Sequence, residues 1–218
     1  MDWMQKIDAY CERTDFTFWA EPLNAVTNLG YLLVALIYWQ RMQGSPMGRV
    51  LSFILALIAI GSFLFHTTAT AWAGAADSAP IGVFILVYLF ALNRDVLGWP
   101  LWAALLGTVL YLPYAALAVP ILDSVPFLSI SDFYWTVPLA LIAYALGLRR
   151  RAPGVARGLA AGAALLAVSI SVRSLDLFLC ETLPIGTHFL WHLLNAVMFV
   201  VVLETYRRPV LAQGPRGR

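Results

Sequence analysis

Charge is what this sequence has least of. Asp, Glu, Lys and Arg make up only 12% of its 218 residues, against 61% apolar types. A soluble domain cannot hide that much apolar surface, so the bilayer is the expected solvent. Lysine is almost missing: Lys6 stands alone beside thirteen arginines. The net charge of +2 is too small to argue for a nucleic-acid partner. No fixed-period repeat or low-complexity segment stands out. The start, Met1-Asp2-Trp3, carries an acid and no basic cluster ahead of an apolar core, so no signal peptide is expected. Abundant Ala and Arg point to a GC-rich bacterial genome.

The apolar residues fall into seven runs of roughly 17–22 residues, the length a hydrocarbon core requires. They lie near 24–40, 50–68, 78–94, 98–119, 132–148, 156–177 and 186–206, separated by short links such as Gln43-Gly44-Ser45-Pro46 and Gly98-Trp99-Pro100. The expected fold is an all-α polytopic membrane protein, a seven-transmembrane-helix bundle. A segment 1–23 precedes the 24–206 bundle, and a basic tail, 207–218, follows it. Eleven basic residues, among them Arg41, Arg49, Arg149 to Arg151, Arg207, Arg208, Arg216 and Arg218, fall at one set of helix ends. Lys6, Arg13 and Arg173 fall at the other. This bias predicts an outside N-terminus and a cytoplasmic C-terminus, where the terminal arginines would rest on anionic lipid. In a bacterium that means the inner membrane, with the Lys6 end facing the periplasm.

All three histidines then sit at one depth on the outer side. His188 and His192 are four apart in THFLWH and share a helical face. That spacing lets two imidazoles grip one metal ion, and His66 would be a third ligand from another helix. Three neutral histidines and one water form the usual open zinc site of a hydrolase, where the metal brings the water's pKa to roughly 7. Ser62 lies four residues before His66 and shares its face. Asp77 follows after the outer turn, placed to take a proton from that water, while Ser62 supports the developing oxyanion. An acid near a membrane span is costly and usually functional. The competing readings are packing histidines in a metal-free bundle and a haem carrier.

The set Ser62-x-x-x-His66, Asp77 with Pro80, and His188-x-x-x-His192, together with YCERTDFTFWAEPLNAVTNL (Tyr10 to Leu29) and LDLFLCE (Leu175 to Glu181), resembles the alkaline ceramidase family and its wider superfamily of progestin and adiponectin receptors and lipid hydrolases. The resemblance implies a zinc-dependent membrane amidohydrolase that cleaves ceramide, or another N-acyl lipid, to a sphingoid base and a fatty acid. A lipid-binding receptor with a structural metal site and a lipid esterase remain alternatives, and no protein partner is implied.

The resemblance also favours a disulfide between Cys11 and Cys180, both on the oxidising outer side; two unrelated thiols are the alternative. It implies a calcium site in the N-terminal segment, for which Glu12 and Glu21 match and Asp8 and Asp15 are candidates, against an acidic solvated stretch. Trp3, Ile7 and Tyr10 repeat at helical spacing and suggest a short interfacial helix. Asn24, Asn28 and Asp176 are expected near the headgroup pocket, or as hydrogen bonds between helices.

Overall fold

A computed structural model describes residues 2–212 and is all-helical, with no strand among them. Six helices are long and apolar enough to cross a membrane: α1 (Pro22–Arg41), α2 (Pro46–Thr68), α3 (Ala71–Val96), α4 (Leu101–Asp123), α6 (Pro153–Leu175) and α7 (His188–Ala212). The fifth in chain order, α5 (Asp132–Leu148), is apolar but shorter, at 17 residues.

The sequence explains most of the boundaries. Ser45 caps α2 by accepting the Gly48 amide at 3.0 Å, and Pro46 sits in the first turn, where its missing N–H costs nothing. Pro153 opens α6 in the same way. α2 ends at Ala69, whose φ of 48° is the left-handed conformation that reverses the chain. After that two-residue turn α3 begins at Ala71, seven residues before the expected start at 78. Asp77 is therefore inside the helix, in its second turn. α7 also runs beyond 206: Glu204 pairs with Arg207 and Arg208 three and four residues on, which supports the last turns through Ala212. Arg216 and Arg218 of the expected basic tail lie outside the described residues.

The core lies where α2, α6 and α7 meet, around Leu51, Leu55, Leu159, Ile170 and Leu203, all fully buried. Tyrosines fasten the bundle at mid-height and at its arginine-rich end. Tyr88 and Tyr38 donate to the Val202 and Val200 carbonyls, and Tyr206 donates to Asp95 at 2.6 Å. Outward, Leu33, Leu57, Leu106, Leu117, Ile121 and Leu146 are exposed. Such an apolar belt would drive aggregation in water and suits lipid.

Residues 2–21 form no helix, contrary to the expectation from Trp3, Ile7 and Tyr10. Backbone pairing takes their place. Ile7 donates to the Ala69 carbonyl and Ala71 donates to Gln5, so the segment lies across the α2–α3 turn. Its far end is tied to the α6–α7 loop by the Cys11–Cys180 disulfide, with Cα atoms 5.1 Å apart.

Candidate functional site

The close approach of α2 and α3 is set by Gly61. A Cβ there would run into the Ala76 carbonyl, so only glycine lets the two backbones meet. The next residue on each helix is functional in type: the Ser62 hydroxyl stands beside the Asp77 carboxylate. One turn past Ser62, His66 points into the gap between α2 and α7 and meets His188 and His192.

The three imidazoles are 0–2% exposed, and each offers a nitrogen within 4.8 Å of the others. Ring centroids are 4.7 Å apart for His188–His192, 4.9 Å for His66–His192 and 5.1 Å for His66–His188. His66 Nε2 and His188 Nδ1 are buried with no hydrogen-bond partner. An orphaned buried nitrogen costs about 1–3 kcal/mol. Two of them in one cluster of neutral donors suit a divalent metal of the zinc type.

Surrounding groups fix the rings. Glu21 Oε2 accepts from His66 Nδ1 at 2.6 Å, which leaves Nε2 as the lone-pair nitrogen. The Thr27 hydroxyl spends its proton on the Leu23 and Asn24 carbonyls, so it accepts from His192 Nδ1 at 2.9 Å, again freeing Nε2. Tyr10 stacks on His188 with centroids 3.6 Å apart. Asp176 Oδ1 accepts the Thr187 and His188 amides, which anchors the start of α7. Gly186, at φ 63°, makes room for that carboxylate.

Glu21 is itself held by Arg13, whose Nε donates to Oε1 at 2.5 Å and whose Nη2 donates to the His66 carbonyl at 2.8 Å. Burial pushes the Glu21 pKa up. The bonds to His66, Asn24 and Arg13 outweigh it and hold the carboxyl below its ordinary range. Burial raises Glu12 despite the opposing amides of Asn24 and Leu23, which its two oxygens accept at 2.8 and 2.7 Å. Burial also raises the Tyr10 phenol.

Three of the four acids considered for calcium have partners within the chain. Glu12 caps α1, Glu21 orients His66, Asp15 bonds Thr17, and Asp8 is exposed. Among the described residues, only the histidine trio forms a group of three or more such ligands. Asn24, Asn28 and Asp176 do not line the cavity described next: Asn24 donates to Glu21, Asn28 donates back to the Asn24 carbonyl within α1, and Asp176 ties the N-terminal segment to α7 by accepting the Cys11, Thr187 and His188 amides.

That cavity has its polar end at Tyr10, Ser62, Asp77, Arg173, His188 and His192. It then runs down between α3, α5 and α7 past Phe84, Leu89, Val137, Leu141 and Phe199 to Val202. From His188 to Val202 this is about 21 Å of helical rise, room for a long alkyl chain. Tyr10, Arg13, Thr27 and Asn195 complete the site but were not singled out in the sequence as site residues. Nothing local ties positions 13, 21 and 66 together. Arg173 did leave a signal, as an arginine at the wrong end of the charge distribution.

A family model described as Ceramidase matches residues 7–213. No curated protein matches the chain.

Proposed function

The chain belongs to the ceramidase family, and from that premise we propose that it is a zinc-dependent membrane hydrolase of N-acyl lipids such as ceramide. The observation that carries this reading is a cluster of three buried imidazoles, two of which line the polar end of an apolar cavity together with Asp77 and Ser62. His66, His188 and His192 would hold the metal. When bound, it supplies a Lewis acid that polarises the amide carbonyl and acidifies water.

The rest of the work falls to the chain. The apolar wall from Phe84 to Val202 buries the acyl tail and so positions the carbonyl at the histidine end. Asp77 takes a proton from the attacking water at its carboxylate and returns it to the leaving nitrogen, since an amide anion departs poorly. The Ser62 hydroxyl donates to the carbonyl oxygen as negative charge develops there. Glu21 and Thr27 keep the His66 and His192 tautomers fixed throughout.

In the same reading α5 is a seventh span, slightly short and served by local thinning of the bilayer. The helices form one hydrolase domain. The histidine end faces outward, towards the periplasm of a bacterium, and the arginine-rich end faces the cytoplasm. The test is elemental analysis of purified protein. One zinc per chain is expected in wild type and none in His66→Ala or His188→Ala; a wild type loaded with zinc that both variants retain would remove the histidine site.

A further inference from the structure

Arg173 has no role in the mechanism above, yet it lies in the last turn of α6 on the wall of the catalytic cavity, among Tyr10, Asp77, His188 and His192. A guanidinium in a membrane protein is costly and is retained where it meets a partner or a ligand. Its surroundings orient it: it hydrogen-bonds the Tyr10 phenol and feels the Asp77 carboxylate on the same cavity wall, but forms no salt bridge with it. Nη1 donates to Ser131 Oγ at 2.7 Å and, more weakly, to the Ile130 carbonyl at 3.3 Å. The cation lies over the Tyr134 and Trp191 rings at 5.3 and 5.8 Å. Among the described residues, no carboxylate comes within 4.0 Å of it, whereas Arg13, the other arginine near the histidines, is paired with Glu21. No other arginine lines this cavity.

The position matches a headgroup site. The acyl tail occupies the deep apolar end and the scissile carbonyl lies at the histidines. The remaining part of the substrate must therefore lie away from the tail, at the polar end that Arg173 lines. A planar guanidinium carries five N–H donors, more than Ser131, Ile130 and Tyr10 engage, and is the side chain best shaped to take two oxygens of a carboxylate or phosphate; stacking on Tyr134 and Trp191 fixes its plane in advance.

We propose that Arg173 is a specificity residue that binds an anionic oxygen group on the head of the substrate, so that the preferred lipid is an acidic N-acyl lipid and not neutral ceramide. This rests on the hydrolase reading of the same site. The two sources of such oxygens are a phosphate head and an amino-acid carboxylate.

The test compares kcat/KM of wild type, Arg173→Lys and Arg173→Met on three lipids with the same acyl chain: ceramide, ceramide 1-phosphate and an N-acyl amino acid. Wild type is expected to favour one of the two acidic lipids over ceramide by at least about tenfold. Arg173→Met should bring that ratio close to one, mainly through KM, and Arg173→Lys should keep part of it. Whichever acidic lipid shows the preference identifies the oxygen source. A wild-type ratio at or below one, or a ratio that Arg173→Met leaves unchanged, overturns the proposal.

Binding is read separately, by fluorescence titration of zinc-loaded protein with the same lipids and with palmitate; Trp191 beside Arg173 is the reporter. If no lipid is cleaved but the acidic preference in binding disappears in Arg173→Met, the hydrolase reading fails and the Arg173 site stands. Palmitate bound more tightly than either acidic lipid would make Arg173 a product-carboxylate site and overturn the headgroup assignment.

Discussion

Replacing Glu21 by Gln keeps the shape of the side chain but removes its charge and turns one acceptor into a donor. In the native site Oε1 faces the Arg13 Nε–H, and Oε2 faces the His66 Nδ1–H and the Asn24 amide. In either orientation the new NH2 meets a donor. Two losses follow. The Arg13 guanidinium, whose side chain is 1% exposed, is left buried without its counter-charge, which costs about 3–5 kcal/mol. His66 loses the carboxylate that fixes its tautomer, and loss of such a supporting group typically weakens metal binding about 10- to 100-fold. Thermal unfolding and zinc competition against a chromophoric chelator, both in detergent, read the two effects separately. Combining Glu21→Gln with Arg13→Met removes the stranded cation, so stability should recover in part while zinc affinity stays low. Wild-type zinc affinity in Glu21→Gln would refute the claim that Glu21 acts through His66.

Asp77→Asn should retain zinc and lose about 10²- to 10⁴-fold in turnover, because only proton transfer is removed; turnover near that of wild type excludes the assigned role. Gly61→Val drives a side chain into the Ala76 carbonyl. It should cost about 1–3 kcal/mol and lower turnover by separating Ser62 from Asp77, as thermal unfolding and a lipid turnover assay would show. Cys11→Ser opens a link across 169 residues. Chain entropy sets an upper bound of about 5 kcal/mol, and the membrane's own restraint on the unfolded chain should bring the measured loss in detergent unfolding below it. Gly186→Ala places a Cβ at φ 63° against Asp176 and Cys11. It should therefore lower zinc affinity through the start of α7, which the same chelator competition would detect.

Long apolar runs report helices directly, so the Asp132–Leu148 helix was legible to the residue and most ends of the other six to within four; the exceptions are the start of α3, seven residues early, and the end of α7, six residues late. The displaced start of α3 has a clear cause. The stretch Ala71-Trp72-Ala73-Gly74-Ala75-Ala76-Asp77 is only weakly apolar, and the turn before it is made by Ala69, a residue with no turn signature. The histidines were legible because His188 and His192 report each other through helical spacing. Glu21 drew notice as a calcium candidate and not as the partner of His66, since its link to His66 spans 45 residues of sequence and depends on how the N-terminal segment folds back. The same fold-back is why helical spacing misled at Trp3, Ile7 and Tyr10. Those backbone groups find partners on the α2–α3 turn, and Tyr10 finds His188.

The central claim is that the histidine cluster serves lipid amide hydrolysis. The most direct measurement is the fatty acid released from ceramide and acidic N-acyl lipids by the purified protein as isolated, after metal removal by a chelator, and after zinc is restored. Release should stop on chelation, return with about one zinc per chain, and fail to return in Asp77→Asn. Release that is indifferent to chelation, or zinc-loaded protein that cleaves none of these amides, would contradict that claim.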